Sequence, residues 1–157
     1  MATHFERQLE ELHVQMITMG SLCEKVISLA TKAIQGGDCI RQVFDTDKEI
    51  DGKEREIEDL CMRLLLHQQP VAGDLREISA ALKMISDMER IGDQAADIAD
   101  LAQFIEDNNV KIPVLIEKMA EMTTKMVSES IDAFVKSDLA LCRQVIDNDD
   151  QVDDAFN

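Results

Sequence analysis

The run Asp87-Met-Glu-Arg-Ile-Gly-Asp-Gln-Ala-Ala-Asp97 places three carboxylates, Glu89, Asp93 and Asp97, at four-residue intervals. On an α-helix this spacing keeps all three side chains within an arc of about 80°. The same arc carries Leu75 and Leu82 earlier in the segment, so one helix face changes from leucine to carboxylate. A solvated face is usually polar throughout and mixes lysine with the acids. The run therefore predicts a helix with a concentrated acidic half-face.

A second acidic set precedes the first on a segment that is also patterned as a helix. Its members fall within an arc of about 60° and are Asp47, Asp51, Glu54 and Glu58. Pro70 lies between the two sets, and Asp47 and Asp93 are equally far from it in sequence. Two antiparallel helices that turn near Pro70 would bring the sets to the same height. Because facing carboxylates repel, either they splay into water or a cation holds them, and our hypothesis is a cation between the two helices.

Composition favours a single helical domain. The chain has 157 residues, 45% of them apolar and 3% aromatic, with no Trp or Tyr and only two prolines and six glycines. Such a composition is typical of helices, and the length is sufficient for one core. The formal net charge of -16 argues against nucleic acid as a partner and against free phosphate as a direct ligand unless a metal bridges it.

Several further patterns bear on location. The four cysteines, Cys23, Cys39, Cys61 and Cys142, form no CxxC pair, so we expect reduced, mostly buried thiols of a cytoplasmic protein. The first residues lack the basic-then-apolar pattern of a signal peptide. Since the sequence has no run of 18 apolar residues, we expect no membrane span.

Apolar periodicity and chain breakers predict five helices. The first helix carries the stripe Leu9, Leu12, Met16, Met19, Leu22, Val26 and Leu29, at three- and four-residue steps. Expected breaks are Gly36-Gly37, Pro70, and Asn108-Asn109 with Pro113. The predicted helices cover about 5–35, 38–68, 71–106, 113–136 and 137–157. The expected fold class is therefore all-α, an antiparallel helical bundle.

The chain also repeats itself. Arg41-Gln-Val-Phe-Asp-Thr-Asp-Lys-Glu-Ile-Asp51 matches Arg143-Gln-Val-Ile-Asp-Asn-Asp-Asp-Gln-Val-Asp153. This indicates a duplicated three-helix unit, with a first three-helix bundle at 1–107 and an incomplete second bundle of two helices at 112–157. Asp149 and Asp153 take the places of Asp47 and Asp51, without an opposing helix. We expect either a shortened form of a longer protein or an apolar face that is covered by dimerisation or helix swapping.

Two motifs resemble those of the PhoU family of phosphate-signalling proteins. They are His67-Gln-Gln-Pro-Val-Ala-Gly-Asp-Leu-Arg76 and Met88-Glu-Arg-Ile-Gly-Asp-Gln-Ala-Ala-Asp-Ile-Ala99. The resemblance implies two three-helix bundles side by side, with metal clusters held by E/D-xxx-D motifs. It implies metal-ligand roles for Glu89, Asp93 and Asp97, faced by the set that begins at Asp47. The family's second such helix has no counterpart here, so a second metal site is not expected.

The same resemblance implies the biological role. PhoU-like proteins are cytosolic negative regulators of the phosphate-starvation response that link a phosphate ABC transporter ATPase to a membrane sensor histidine kinase. We therefore expect these two partners, a homodimer, and no enzymatic activity, since the sequence has no phosphate loop, nucleophile elbow or Cys/His zinc spacing.

The ligand types limit the metal. Carboxylates alone suit hard cations such as Mg, Ca, Mn or Fe, whereas Zn sites usually include His or Cys. The resemblance implies iron clusters, or zinc or other divalent ions. Because seven carboxylates exceed the needs of one ion, the site is expected to hold several. The cofactor prediction is therefore Fe, Mn, Mg or Zn, in one or more sites.

Two other functions compete with this prediction. The first is a metal-free helical interaction module whose acidic face binds a basic partner. The second is a carboxylate-bridged di-iron protein, because Glu10-Glu-Leu-His13 has the ligand spacing of such bundles. Those sites need two copies of the spacing, and the sequence contains one.

Overall fold

The computed structural model describes residues 3–67 and 70–157, and these form five α-helices. The helices are α1 (His4–Ile34), α2 (Ile40–His67), α3 (Ala72–Asp107), α4 (Leu115–Lys136) and α5 (Leu139–Phe156). The predicted all-α class is confirmed, and no strand occurs in the described ranges. The second and fourth helices each begin two residues later than predicted, and the predicted end of α2, Gln68, lies outside the described residues.

Local sequence explains where several helices begin and end. Thr3 and Glu6 form a capping box at the start of α1, in which the Glu6 amide donates to Thr3 Oγ1 at 3.1 Å. Gly36 follows α1 with φ of 93°, a conformation that a residue without a Cβ adopts freely. Asp138 caps α5, since its carboxylate accepts a hydrogen bond from the Leu141 amide at 3.0 Å.

Helices α1, α2 and α3 pack as an antiparallel bundle around one core. The predicted stripe of α1 supplies Leu12, Met16, Met19 and Val26, all fully buried, whereas Leu9, Leu22 and Leu29 are only partly buried. Helix α3 contributes a face of small and medium side chains that includes Ile78, Ala81, Ala95 and Ala99. Small side chains let the backbones of α2 and α3 approach closely, which sets the site described below.

Helix α4 lies against α1, and α5 lies against α4. Ile131 packs on Gly20 and Phe134 on His13, so α4 runs antiparallel to α1. Ile131 belongs to the same buried cluster as the first three helices. In α4 and α5 together, the buried side chains are Ile131, Ala133 and Val145. The division of the chain into two bundles therefore stays a prediction, while the core is continuous across it.

The structure gives the burial of the four cysteines and the hydropathy of the described helices. All four cysteines are free, three of them buried and Cys142 half-buried. Burial raises the pKa of Cys23 to about 12 and that of Cys61 to about 11, so both remain thiols at neutral pH. Among the described residues, no helix is both long enough and apolar enough to span a membrane.

Two glycine substitutions should separate close packing from helix propensity. A Cβ on Gly20 would lie 2.8 Å from Ile131 Cγ1, whereas a Cβ on Gly52 would meet nothing within 4 Å. Gly20→Ala should lower the free energy of unfolding by about 1 kcal/mol because α4 must shift. Gly52→Ala should raise it by about 0.5–1 kcal/mol. Urea titrations followed by far-UV circular dichroism measure both, and equal signs would contradict the described contact between α1 and α4.

Candidate metal centre

The turn between α2 and α3 brings the two acidic sets together. One carboxylate oxygen from each of Asp47, Asp51 and Asp93 lies within 4.8 Å of the other two. Asp47 and Asp51 are one helical turn apart on α2, and Asp93 faces them from α3. The register predicted from their equal distances to Pro70 is thus confirmed. Three oxygens this close can coordinate a single cation.

Two of these oxygens lack a hydrogen-bonding partner. Asp47 Oδ1 and Asp51 Oδ1 are buried, and neither accepts a hydrogen bond from any residue in 3–67 or 70–157. A buried polar atom without a partner destabilises a fold by about 1–3 kcal/mol, and by more when it is charged. Asp47 and Asp51 are also the two α2 residues that have a carboxylate oxygen clustered with one of Asp93, so a cation bound there would supply a partner for the α2 carboxylates.

Gly92 determines how closely the two helices approach at this point. A Cβ built on Gly92 would lie 2.5 Å from Asp47 Oδ1 and 3.2 Å from Ile50 Cδ1. Any larger residue would displace the Asp47 carboxylate from its place against α3. The glycine in the Glu-Arg-Ile-Gly-Asp run is therefore a packing requirement of the acidic cluster. The sequence shows Gly92 itself, but it does not show which side chain Gly92 faces.

The clustered negative charges perturb one another. A hydrogen bond to Asp93, with partial burial and the nearby negative charges, raises the pKa of Glu89 to about 7. Burial and the charges of Asp51 and Asp93 raise the pKa of Asp47 to about 6. Burial and the charges of Glu58 and Asp51 also raise the pKa of Glu54. Each shift shows that the ionised form is disfavoured at this site when no cation is bound.

The remaining predicted residues lie at the edge of the cluster. The charge of Asp97 acts on Asp47, and the charge of Glu58 acts on Glu54. Both Asp97 and Glu58 are exposed. Of the seven predicted ligands, Asp47, Asp51 and Asp93 thus form the centre, Glu89 and Glu54 lie beside it, and Asp97 and Glu58 are peripheral.

Nearby basic side chains are engaged elsewhere. Arg90 pairs with Asp87 at 3.4 Å and Lys53 pairs with Glu56 at 2.9 Å, so neither neutralises the central carboxylates. Arg55 does lower the pKa of Glu54, although burial and the acidic neighbours outweigh it. Among the described residues, none of the three central aspartates forms an ion pair.

His13 does not act with Glu10. Its Nε2 is hydrogen-bonded to Glu77 Oε1 of α3, and its ring meets Phe134 of α4 edge-on at 5.9 Å between centroids. Glu10 is exposed. His13 therefore lies at a junction between α1, α3 and α4 and does not form a Glu-x-x-His ligand pair with Glu10. The sequence spacing could not show that Glu77 is its partner, because Glu77 lies on another helix.

The chemistry of the donors fits a hard cation. Oxygen is the donor of all the clustered side chains, whereas His13 is hydrogen-bonded to Glu77 and Cys23 donates to the Met88 carbonyl oxygen. Oxygen-only sites bind Mg, Ca, Mn or Fe, and binding a cation would remove the mutual repulsion of the carboxylates. The arrangement can thus hold an ion and fasten α2 to α3.

The fold and this cluster define a class of α-helical bundle proteins in which two acidic helices pack against each other. The model of the PhoU domain matches residues 16–102 and 116–157. The chain belongs to the PhoU family. Members of this family are regulatory accessory proteins and not enzymes, in agreement with the prediction that this chain is not an enzyme.

Individual relatives cover nearly all of this chain. The phosphate-specific transport system accessory protein PhoU homolog of Aquifex aeolicus is 38% identical over 154 residues, which are 96% of this chain and 70% of the relative. The Escherichia coli accessory protein PhoU is 30% identical over 97% of this chain and 64% of its own length. The chain thus spans about two thirds of the length of these relatives.

Solved structures show the same architecture. The crystal structure of PhoU from Pseudomonas aeruginosa superposes with a TM-score of 0.90 at 33% identity, and covers 98% of this chain and 75% of that one. The phosphate transport system regulatory protein PhoU from Streptococcus pneumoniae gives a TM-score of 0.88 at 25% identity, over 98% and 73% of the two chains.

The raised pKa values predict how stability depends on pH when metal is absent. A carboxyl group whose pKa is higher in the folded than in the unfolded state binds its proton more tightly when folded. Asp47 rises from 3.8 to about 6 and Glu89 from 4.5 to about 7. The free energy of unfolding of chelator-treated protein should therefore fall as pH increases from about 4 to about 7.

In chelator-treated protein, Asp47→Asn should weaken this dependence and raise the free energy of unfolding at neutral pH. Asp45→Asn is the matched control, because Asp45 is an exposed carboxylate two residues away on the same helix. Urea denaturation at a series of pH values checks both variants. Stability that rises with pH over this range, or identical behaviour of the two variants, would contradict the description of the cluster.

Proposed function

We propose that this protein is a metal-binding regulator of phosphate uptake and phosphate-starvation signalling. The observation that supports metal binding is the pair of buried, unpartnered oxygens of Asp47 and Asp51 opposite Asp93. Gln8 and Glu129 also carry a buried oxygen without a partner, but only Asp47 and Asp51 belong to a group of clustered carboxylates, where a cation would supply the missing partner. The regulatory part of the proposal is supported by membership of the PhoU family.

The bound ion would be held first by Asp47, Asp51 and Asp93. Glu89 and Glu54 lie close enough to the three to influence their charge, and would complete the coordination. The exposed carboxylates Asp97 and Glu58 lie at opposite ends of the cluster, beside Asp47 and Glu54 respectively, and each would be a ligand only for a further ion at its own end. The ion is Fe, Mn, Mg or Zn, of which the oxygen-only donors favour the first three. Its contribution is to neutralise the cluster and to fix α2 against α3.

The regulator would act by protein contact. Its relatives are named accessory proteins of a phosphate-specific transport system. We propose that this chain contacts the ATPase of a phosphate ABC transporter and a sensor histidine kinase, in the cytoplasm and as a homodimer, and that it represses uptake when phosphate is abundant. The partners, the negative sign, the location and the dimer rest on the family resemblance.

Metal binding should depend on Asp93. Elemental analysis of untagged protein should find Fe, Mn, Mg or Zn in stoichiometric amount, and Asp93→Asn should abolish it. By mass action, loss of the ion should also lower the melting temperature at neutral pH, and a chelator should reproduce that effect on the unaltered chain.

Two further variants make this test specific. Asp59→Asn removes an exposed carboxylate of α2 that is outside the predicted set, and should retain the metal. Gly92→Ala leaves every carboxylate in place but forces Asp47 to move, and should reduce metal affinity by about 10–100-fold. A melting temperature that is unaffected by chelator would count against a structural metal and in favour of a metal-free interaction module.

The regulatory role should be visible in cells. In a bacterium whose own family member has been deleted, uptake of radiolabelled phosphate should remain high in phosphate-rich medium. Expression of this chain should restore repression, Asp59→Asn should do so equally, and Asp93→Asn should fail at equal protein abundance. Restoration by Asp93→Asn would show regulation without the ion, and no restoration by the unaltered chain would contradict the regulatory proposal.

A further inference from the structure

A buried thiol on α1 contacts the turn of α3 that carries two of the predicted metal ligands. Cys23 is fully buried, and its Sγ donates a hydrogen bond to the Met88 carbonyl oxygen, with the two atoms 3.6 Å apart. Met88 directly precedes Glu89, and Asp93 lies one helical turn after Glu89. Because Cys23 and Met88 are far apart in sequence, the contact depends on the packing of α1 against α3.

The Met88 carbonyl is part of the same helical turn as the residue that meets α2. In a regular α-helix, the carbonyl oxygen of Met88 accepts a hydrogen bond from the amide of Gly92, and both residues lie within α3. Gly92 lies directly against Asp47 and Ile50 of α2. This turn of α3 is therefore held by α1 at the Met88 carbonyl and by α2 at Gly92.

The thiol of Cys23 remains a neutral hydrogen-bond donor. Burial, together with the charge of Glu24, raises the pKa of Cys23 to about 12, so the sulfur keeps its proton at neutral pH. A thiol is a weak donor, and a helix carbonyl oxygen has a second lone pair that can accept it. The other members of the buried cluster around Cys23 are apolar. The thiol thus supplies a polar, directional contact within an otherwise apolar interface.

A directional contact matters because the buried face of α3 is built from small residues. This face includes Gly92, Ala95 and Ala99, which provide short ridges for interlocking with a neighbouring helix. Apolar contacts are also non-directional, so they oppose a small rotation of α3 only weakly. A hydrogen bond depends on both distance and angle. It therefore restricts rotation of α3 at the point where it forms.

Coordination of an ion would require this restriction. One carboxylate oxygen from each of Asp47, Asp51 and Asp93 lies within 4.8 Å of the other two. Oxygen ligands must approach a Mg or Ca ion to about 2.0–2.6 Å, so small errors in helix rotation would weaken binding. A rotation of α3 about its axis would carry Asp93 away from the two aspartates of α2.

We propose that Cys23 is a positioning residue for the metal centre, and that its thiol fixes the turn of α3 that presents Glu89 and Asp93 to the carboxylates of α2. Cys23 acts through the Met88 carbonyl and is not a ligand of the ion. This inference rests on the proposed function, because fixing the turn affects binding only if the cluster holds an ion.

Three substitutions of Cys23 separate the hydrogen bond from the filling of space. Cys23→Ser keeps a donor, Cys23→Ala removes the donor and leaves a cavity, and Cys23→Val removes the donor but fills the space. Cys39→Ala is the matched control. Cys39 is also a buried cysteine whose thiol donates to a helix carbonyl oxygen, but that oxygen belongs to Leu29 of α1 and not to α3.

The probe is Mn²⁺ alone, because the electron paramagnetic resonance signal of the free ion reports how much is unbound during a titration. Cys23→Ala and Cys23→Val should each weaken Mn²⁺ binding about tenfold, as expected for residues that orient metal ligands. Cys23→Ser should bind Mn²⁺ more tightly than either. Cys39→Ala should lower the urea midpoint, as Cys23→Ala does, but should leave the affinity for Mn²⁺ unchanged.

Infrared spectroscopy of the metal-free protein tests the contact itself. The S–H stretching band lies in a region of the spectrum that is free of other protein bands. The part of this band that is lost in Cys23→Ala should lie at the lower frequency typical of a hydrogen-bonded thiol.

The outcomes distinguish this inference from the metal centre. If the unaltered chain bound no Mn²⁺, the metal centre would be overturned and the positioning role with it. Three results would overturn the positioning role alone and leave the metal centre supported. They are unchanged Mn²⁺ affinity in Cys23→Ala and Cys23→Val, tighter binding by Cys23→Val than by Cys23→Ser, and an S–H band for Cys23 at the frequency of a free thiol.

Discussion

The structure depends on the packing of α2 against α3, which holds negatively charged side chains of the two helices close together. Apolar burial on α2, through Val43, Ile50 and Ile57, draws this helix onto the bundle, and the same packing forces Asp47 and Asp51 against Asp93. The hydrophobic effect is large enough to impose this arrangement, because each buried aliphatic side chain contributes about 1.5–3 kcal/mol. The electrostatic cost is concentrated at one place, where the pKa values of Asp47 and Glu89 are raised. A cation bound at that place would neutralise the repulsion between the carboxylates and would hold α2 against α3.

The small residues of α3 set how closely α2 and α3 approach each other at the acidic cluster. Gly92, Ala95 and Ala99 are small residues on the buried face of this helix, and Asp47 and Ile50 of α2 lie directly against Gly92. A larger residue at position 92 would hold the two helices apart at the acidic cluster. The resulting pair is a rigid element with chemically distinct faces. One face carries the acidic cluster, and another, with Met84 and Ile91, borders α4.

The duplicated unit has two different environments in one chain. In its first copy the acidic face of α2 is covered by α3, and the burial of Val43 and Ile50 is complete. In its second copy α5 contacts α4 but has no comparable cover in the described residues, and Val152 and Ile146 remain accessible. The same sequence pattern thus has two different surroundings among the described residues.

The amino-acid sequence alone determined the helices, because apolar periodicity and the breaks at Gly36, Pro70 and Asn109 act locally. It also predicted the register of α2 and α3, since antiparallel packing brings residues that are equally far from Pro70 in sequence to the same height. The predicted register by itself places Asp47 opposite Asp93. The tertiary structure decided which of the seven carboxylates lie close together, because Asp93, although exposed, approaches Asp47 and Asp51 from another helix. It also decided that Gly92 faces Asp47, that His13 pairs with Glu77, and that α4 docks on α1 through Gly20. These contacts join residues separated by dozens of positions, and only three-dimensional packing selects them.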